Sequence, residues 1–409
     1  MAMTPRENFE AAMSRTRPEW VPLDLGKHIG SIHKTHYAEL KPPLPQVGLK
    51  NGDLILDRMA QTIVPDEELL QYFNVDFRWL VPNWVQVKER EGVDAGGYYD
   101  MWGVPYKGAH GDHYAVDSLA KAPLADCETP QDILNADCWP DPEDPAQFAG
   151  LRERAKHLYD STGYVLGADA IKAGPLMSAL QMRGYEQFFM DLVINTELAD
   201  ALMGKITDLL CRMWTRFMDE VGDYVELAYV TDDLGSQTSL LISPKVYRKR
   251  IKPFHTQLHQ HIKKAGNCYL MMHTDGAVLP LIEDLIETGA DILNPVQTST
   301  SGMENTSKLK EKFGDRLAFH GAMDVQQMMP GATHEELRWE IARRMKDLGS
   351  DGGYIIAPCH NIGHDIPVEN TLKFFELVRV MGKYPINVED ALASDASYFV
   401  RLAQESGGE

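Results

Sequence analysis

Nowhere in the 409 residues is there an uninterrupted apolar run of about 18, the length a helix needs to cross a bilayer, so the sequence predicts no membrane partner. The opening stretch MAMTPRENFEAAMSR also lacks the apolar core of a secretory signal. Cysteine is scarce. The five present (Cys127, Cys138, Cys211, Cys268, Cys359) are odd in number and lack Cys-x-x-Cys spacing, which excludes a disulfide framework and a zinc ribbon and fits a reducing cytoplasm. Positive charge is in deficit, 40 Lys and Arg against 60 Asp and Glu, and a net charge of -20 repels phosphate backbones, so no nucleic-acid partner is expected. The basic runs at Tyr247 to Lys252 and Arg338 to Lys346 read as solvated helix faces. No Gly-x-Gly-x-x-Gly follows the first strand pattern, which removes a dinucleotide-binding fold. There is no fixed-period repeat and no low-complexity segment.

What is there is ordinary globular material, 44% hydrophobic and 24% charged, enough for a sizeable core in one large domain. Thr4 to Ser14 predicts a capped helix, with Thr4 as N-cap, Pro5 at the first helical position and Glu7 in the capping-box place. Trp20 to Gly26 predicts a first strand. Residues 76–116 break into short alternating pieces rich in Trp, Tyr and Gly, an antiparallel insertion. The proline- and acid-rich residues 125–146 read as a connection along the surface. From Tyr164 onward, apolar strand runs alternate with helical stretches, the signature of a parallel sheet buried on both faces. Almost every strand run ends in reactive side chains: Asp232 and Asp233, His273 and Asp275, Asn294 and Gln297, His320 and Asp324, then Cys359, His360 and Asn361. In a closed barrel such ends meet on one rim. The reading is therefore an α/β protein, a (β/α)8 TIM barrel over 1–385 with an N-terminal helical segment, the 76–116 insertion on its rim and a C-terminal tail at 386–409.

His273 closes the run CYLMMH, and Asp275 follows two residues later. With the distant Cys359 they make a His/Asp/Cys set that suits zinc and leaves a position open for substrate. The alternatives at these residues are a hydrogen-bonded core histidine, a helix-capping aspartate and a small buried thiol. Asp232 and Asp233 sit side by side at one strand end and so point to opposite sides: one supports the structure, the other meets substrate or a ligand. His320 is a general acid/base candidate, with packing beneath the rim as the alternative. Asn294, Gln297 and His360 at strand ends are substrate-contact candidates. In the insertion, Tyr98 and Trp102, with Tyr99 and Tyr106, make an aromatic wall for a flat substrate or merely a hairpin's own packing. His28, His33 and His36 lack metal-ligand spacing and read as loop and helix-start residues.

The stretches RPEWVPLDLG (17–26), DDLGSQ (232–237), SPKVYRKRIKP (243–253), HTDG (273–276), DILNPVQ (291–297), FGDRLAFHG (313–321) and GGYIIAPCHNI (352–362) together resemble the uroporphyrinogen decarboxylase superfamily, within it the branch related to corrinoid-dependent methyltransferases. Porphyrin decarboxylases carry an arginine-rich RQAGRY segment after the first strand; here the stretch is GKHIGSIH. The methyltransferase branch uses His-x-Cys plus a later Cys to hold zinc. His273 and Cys359 match, and Asp275 stands where that pattern has Cys. The resemblance implies a zinc-dependent methyltransferase that takes a methyl group from a small donor, a methoxylated aromatic among them, and passes it to a corrinoid carried by a separate protein. It also implies a second reading, a metal-free decarboxylase in which Asp233 assists protonation and Lys27, Arg78 or Lys107 hold carboxylates. A barrel that binds a small ligand without turnover is the third. A homodimer is compatible with all three.

Overall fold

In the computed structural model, residues 2–406 are described apart from 51, 84, 86, 92–95, 109–113, 119 and 395. Seven strands, β1 (Phe77–Leu80), β2 (Val165–Ala168), β3 (Leu227–Thr231), β4 (Tyr269–His273), β5 (Ile292–Asn294), β6 (Ala318–Met323) and β7 (Tyr354–Pro358), form one parallel sheet in which spatial order equals chain order. Sequences such as LAYVT and YIIAP are buried throughout because helices cover the outside while the sheet curls round its own interior. The sheet closes through residues 21–25. Pro22 O accepts from Ile356 N at 2.9 Å and Asp24 N donates to Ile356 O at 3.1 Å, while Leu23 O accepts from Asp76 N beside β1 at 2.9 Å. The segment expected as a first strand is thus the eighth stave, held to its neighbours by single bridges, and the fold is a (β/α)8 barrel. One of its ladder bonds is supplied by a side chain, Asp76 Oδ2 accepting from Leu23 N at 2.8 Å.

Burial raises the Asp76 carboxyl to about 7, although Leu23 and Trp20 donate to it. An unfolded aspartate ionises near pH 4, so between 4 and 7 the folded chain keeps a proton that the unfolded chain has lost. The resulting stabilisation, on the order of 4 kcal/mol, is fully present below pH 4 and lost as pH rises through 7. Asp76→Asn is expected to flatten the fall in melting temperature between pH 5 and 8; an unchanged slope would mean the carboxyl ionises normally.

Inside the barrel, Phe77, Trp79, Val165, Leu227, Tyr229, Met271, Ile292, Ala318 and Ile355 make one cluster. The pairs Phe77/Trp79 and Leu227/Tyr229 are two apart, the period that points side chains to one face of a strand. The predicted N-terminal helix, Pro5–Met13, has its capping box: Glu7 N donates to Thr4 Oγ1 at 3.2 Å and Thr4 N to Glu7 Oε2 at 2.8 Å. Its Phe9 ring meets Phe77 and Tyr269 edge-on at 5.6 and 5.8 Å, which plugs the N-terminal mouth and leaves the C-terminal rim for chemistry. Gly167 on β2 lies against Trp79, whose ring stands 2.4 Å from where a Cβ would be. Gly167→Ala is expected to cost about 2 kcal/mol or more, read from denaturant midpoints, because Trp79 has nowhere to move.

The insertion is a four-stranded antiparallel sheet of Lys88–Glu89, Tyr98–Tyr99, Pro105–Gly108 and Tyr114–Val116. It begins later than expected. Residues 77–80 alternate like a half-exposed strand because of Arg78, yet that guanidinium is buried, bound to Glu67 at 2.7 Å and lying 3.6 Å over the Tyr164 ring, and the segment is barrel strand β1. A second small sheet of Ile32–His33, Thr62–Ile63 and Ile55–Asp57 was not foreseen from the sequence. Residues 386–409, read as a tail, carry the helices Glu389–Leu392 and Tyr398–Ser406; 407–409 lie outside the described residues. Among the described residues no helix is long and apolar enough to cross a membrane.

Candidate functional site

Strands β3 and β4 run side by side with Thr231 opposite His273, so the turns that leave the two strands share one stretch of rim. These turns, Asp-Asp-Leu-Gly and His-Thr-Asp-Gly, pack glycine on glycine. A Cβ on Gly276, whose φ is 95°, would lie 2.4 Å from the Gly235 backbone. That close approach lets Asp275 N donate to Asp233 Oδ1 at 3.0 Å and brings both carboxylates to one imidazole. His273 Nε2 lies 3.8 Å from Asp233 Oδ1 and 3.7 Å from Asp275 Oδ2. Among the described residues, Asp233, His273 and Asp275 form the group whose ligand atoms all lie within 4.8 Å of one another.

His273 is 1% exposed, and among the described residues its Nε2 has no hydrogen-bond partner. The other ring nitrogen is fully engaged. Nδ1–H donates to Asn294 Oδ1 at 2.6 Å, Asn294 Nδ2 donates to His320 Nδ1 at 2.6 Å, and His320 Nε2–H donates to Asp24 Oδ2 at 2.8 Å. Asp24 also accepts from Trp79 Nε1 at 2.8 Å and Lys27 Nζ at 3.1 Å. Burial opposes charge on Asp24, yet Lys27 and His320 hold its carboxyl far below the usual range; burial, then Lys27, push the His320 imidazole down to about 4. A neutral His320 that gives its proton to Asp24 can only accept from Asn294, so a neutral His273 carries its proton at Nδ1 and turns its Nε2 lone pair to the carboxylates. Burial disfavours a charged His273, but Asp275 and Asp233 outweigh it and raise the imidazole. Burial raises Asp233, whereas His273 overcomes burial at Asp275 and lowers it. A divalent cation fits this donor set: one oriented imidazole lone pair, two carboxylates and surplus negative charge.

The cavity above is about 500 Å³. Asp233 and His273 line it, with Tyr98, Trp102, Tyr106 and Tyr114 from the insertion and Met177 and Tyr185 from the helices after β2. Tyr98 and Trp102 therefore stand on the wall expected of them, with Tyr98 stacked on Tyr106 at 4.8 Å. A roomier cavity of about 700 Å³ beside Trp20, Phe73 and Asp76 contains none of these ligands.

Other candidates are placed differently. Cys359 is outside the group. It follows β7, three strands on from His273, and its thiol faces the carbonyls of Pro295 and Val296 at 3.7 and 3.5 Å, where burial pushes it well up and away from thiolate. Asp233, expected as an acid/base, belongs to the group instead. Asp232 also lines the cavity, but its oxygens are held: they accept from Leu176 N and Met177 N at the start of helix Pro175–Arg183, at 2.8 and 2.7 Å, and from His255 Nε2 at 2.8 Å. Strand alternation thus divides the pair as expected: Asp232 supports and Asp233 faces the cavity. His320 is fully buried and positions His273 through Asn294, and neither it nor Asn294 is among the residues lining the cavity. Gln297 accepts from Gly276 N at 2.8 Å and so braces the turn. His360 is half-buried with its ring centre 6.3 Å from that of His273, outside the ligand group. Asp24 was missed, and Lys27, expected to hold a substrate carboxylate in the decarboxylase reading, binds Asp24; the signal available was an Asp-x-x-Lys of opposite charges at the end of an apolar run.

Residues 139–381 match the family model described as uroporphyrinogen decarboxylase (URO-D). A uroporphyrinogen decarboxylase of Thermus thermophilus is 28% identical over 183 residues, 44% of this chain and 47% of that protein. That of Pseudoalteromonas translucida is 33% identical over 97 residues, 24% of this chain and 25% of that one. The chain thus spans about half, or less, of the length of the curated relatives it matches. A solved structure, a methyltransferase from Methanosarcina mazei, shares the fold with a TM-score of 0.62 at 15% identity, over 92% of this chain and 99% of that one. Since the family model spans more than half of the sequence, this chain belongs to the uroporphyrinogen decarboxylase (URO-D) family.

Proposed function

We propose that this protein is a methyltransferase that takes a methyl group from a small methylated donor, best a methoxylated aromatic, and delivers it to the corrinoid of a separate protein. The observation that carries the reading is the unpartnered Nε2 of His273 between Asp233 and Asp275, beneath an aromatic cavity of about 500 Å³. His273, Asp233 and Asp275 would hold a divalent ion, zinc first, which when bound supplies Lewis acidity toward the leaving oxygen. The rest falls to side chains. Asn294 and His320 hold the imidazole in one tautomer, and the tyrosines and Trp102 orient a flat donor and keep water from it.

A decarboxylase acting on a polycarboxylate needs several cations in its cavity. The three expected cations do not line this cavity: Lys27 binds Asp24, Arg78 binds Glu67 and Lys107 binds Asp117. Among the described residues, Lys172 is the one lysine or arginine lining the cavity, against Asp57, Asp100, Asp232 and Asp233. The test is elemental analysis joined to an assay of methyl transfer from methoxylated aromatics to cob(I)alamin. About one zinc per chain with formation of methylcobalamin and a phenol is expected. Metal-free protein that decarboxylates uroporphyrinogen would establish the second reading instead.

A further inference from the structure

Lys172 has no part in the ligand cluster, yet it is the best-braced cation of the cavity. It lies in the loop after β2, 12% exposed, with Nζ 2.6 Å from Asp100 Oδ2 and 3.0 Å from Gln181 Oε1. Asp100 is itself fixed: its Oδ1 accepts from Trp102 N and Val104 N, both at 2.9 Å, in the tight turn of the insertion. The ammonium has three N–H donors, and Asp100 and Gln181 take two. The third has no protein partner among the described residues. A long, flexible side chain rarely stands clamped at a cavity wall without a task, because ordering it costs rotamer entropy.

Geometry sets what that donor can reach. Lys172 follows β2 and His273 ends β4, two strands round the rim, and at about 4.8 Å per strand the separation is roughly 10 Å. A benzene ring with a methoxy group on one side and an oxygen acceptor on the other bridges such a span. We infer that Lys172 is a specificity residue that takes the carboxylate of a monocarboxylic aromatic methyl donor while the methoxy group meets the His273 cluster. The inference rests on reading this cavity as the methyl-donor site. Among the described residues the cavity offers no second lysine or arginine, and Asp57 stands on its wall, so the subsite selects one carboxylate rather than many.

The experiment is calorimetric titration of the protein as purified with 4-methoxybenzoate and with its uncharged counterpart methoxybenzene. Wild type is expected to bind the acid at least tenfold more tightly than the neutral ether. Lys172→Met should erase that preference and leave methoxybenzene binding within about twofold. Because the single variant strands the buried Asp100, Lys172→Met/Asp100→Asn is measured beside it; the asparagine keeps an acceptor for Trp102 N and Val104 N. The preference is expected to vanish there too and to persist in His273→Ala. No preference in wild type, its survival in the folded double variant, or its loss only in His273→Ala would each overturn the inference. Binding needs neither corrinoid nor turnover. A protein that prefers the acid through Lys172 but never transfers methyl refutes the proposed function and leaves the subsite standing; methyl transfer with indifference to the carboxylate does the reverse.

Discussion

Asp233→Ala and His273→Ala are each expected to reduce bound metal to less than a tenth of an ion per chain and methyl transfer by at least about 10²-fold, whereas Cys359→Ser leaves both within about twofold. The contrast comes from chain topology. Asp233 arrives on the strand adjacent to His273, and its Oδ1 already lies 3.8 Å from the ring nitrogen. Cys359 arrives three strands on and donates its S–H to two backbone carbonyls, a bond that a serine hydroxyl can make equally well. Ligation by that thiol would also require thiolate in a fully buried place where burial opposes it. Elemental analysis of the three variants checks the prediction. Loss of metal in Cys359→Ser, with metal retained in Asp233→Ala, would mean that the rim rearranges on loading and that the thiol is a ligand after all.

Asn294→Leu comes next in expected effect. Leucine fills the same volume but cuts the chain of hydrogen bonds between His273 and His320, so nothing holds the proton on Nδ1 or the lone pair on Nε2 toward the carboxylates. Metal affinity is expected to fall 10- to 100-fold, the usual cost of losing a group that orients a ligand. Stability should fall by about 1–3 kcal/mol, since two buried imidazole nitrogens lose their partner. Zinc titration against a competing chelator reads the first effect and chemical denaturation the second. Asn294→Asp, which keeps an acceptor for the Nδ1 proton, is expected to recover part of the affinity. Equal behaviour of leucine and aspartate would mean that the Nδ1 hydrogen bond does not orient the ring.

Much of the architecture was legible because the forces that specify it are local. Continuous apolar runs such as LAYVT and YIIAP announce strands covered on both sides, and polar residues at their ends announce the rim. His273 with Asp275 was legible for the same reason: two residues apart at one strand end, they have only one place to go. The division of Asp232 and Asp233 into a supporting and a facing carboxylate followed from strand alternation alone. The third member of the group did not follow. A count of strands separates Cys359 from His273, but family resemblance spoke for the thiol, and only packing shows the Gly235–Gly276 contact that brings Asp233 to the ring.

The long-range relay marks the boundary most clearly. Asp24 and His320 are 296 positions apart, and nothing in the pattern near either residue names the other. Arg78 misled in the same way: its charge made β1 resemble a half-exposed strand until Glu67 and Tyr164 were seen to bury it. By itself, then, the sequence determined the alternation of strands and helices, the rim on which chemistry gathers and the His273/Asp275 pair, because burial periodicity and turn chemistry act over a few residues. Tertiary structure alone decided that Asp233 rather than Cys359 completes the cluster, that residues 21–25 close the barrel and that Lys172 is clamped at the cavity wall. Each depends on which strands become neighbours when the sheet closes on itself, and that is a property of the whole chain.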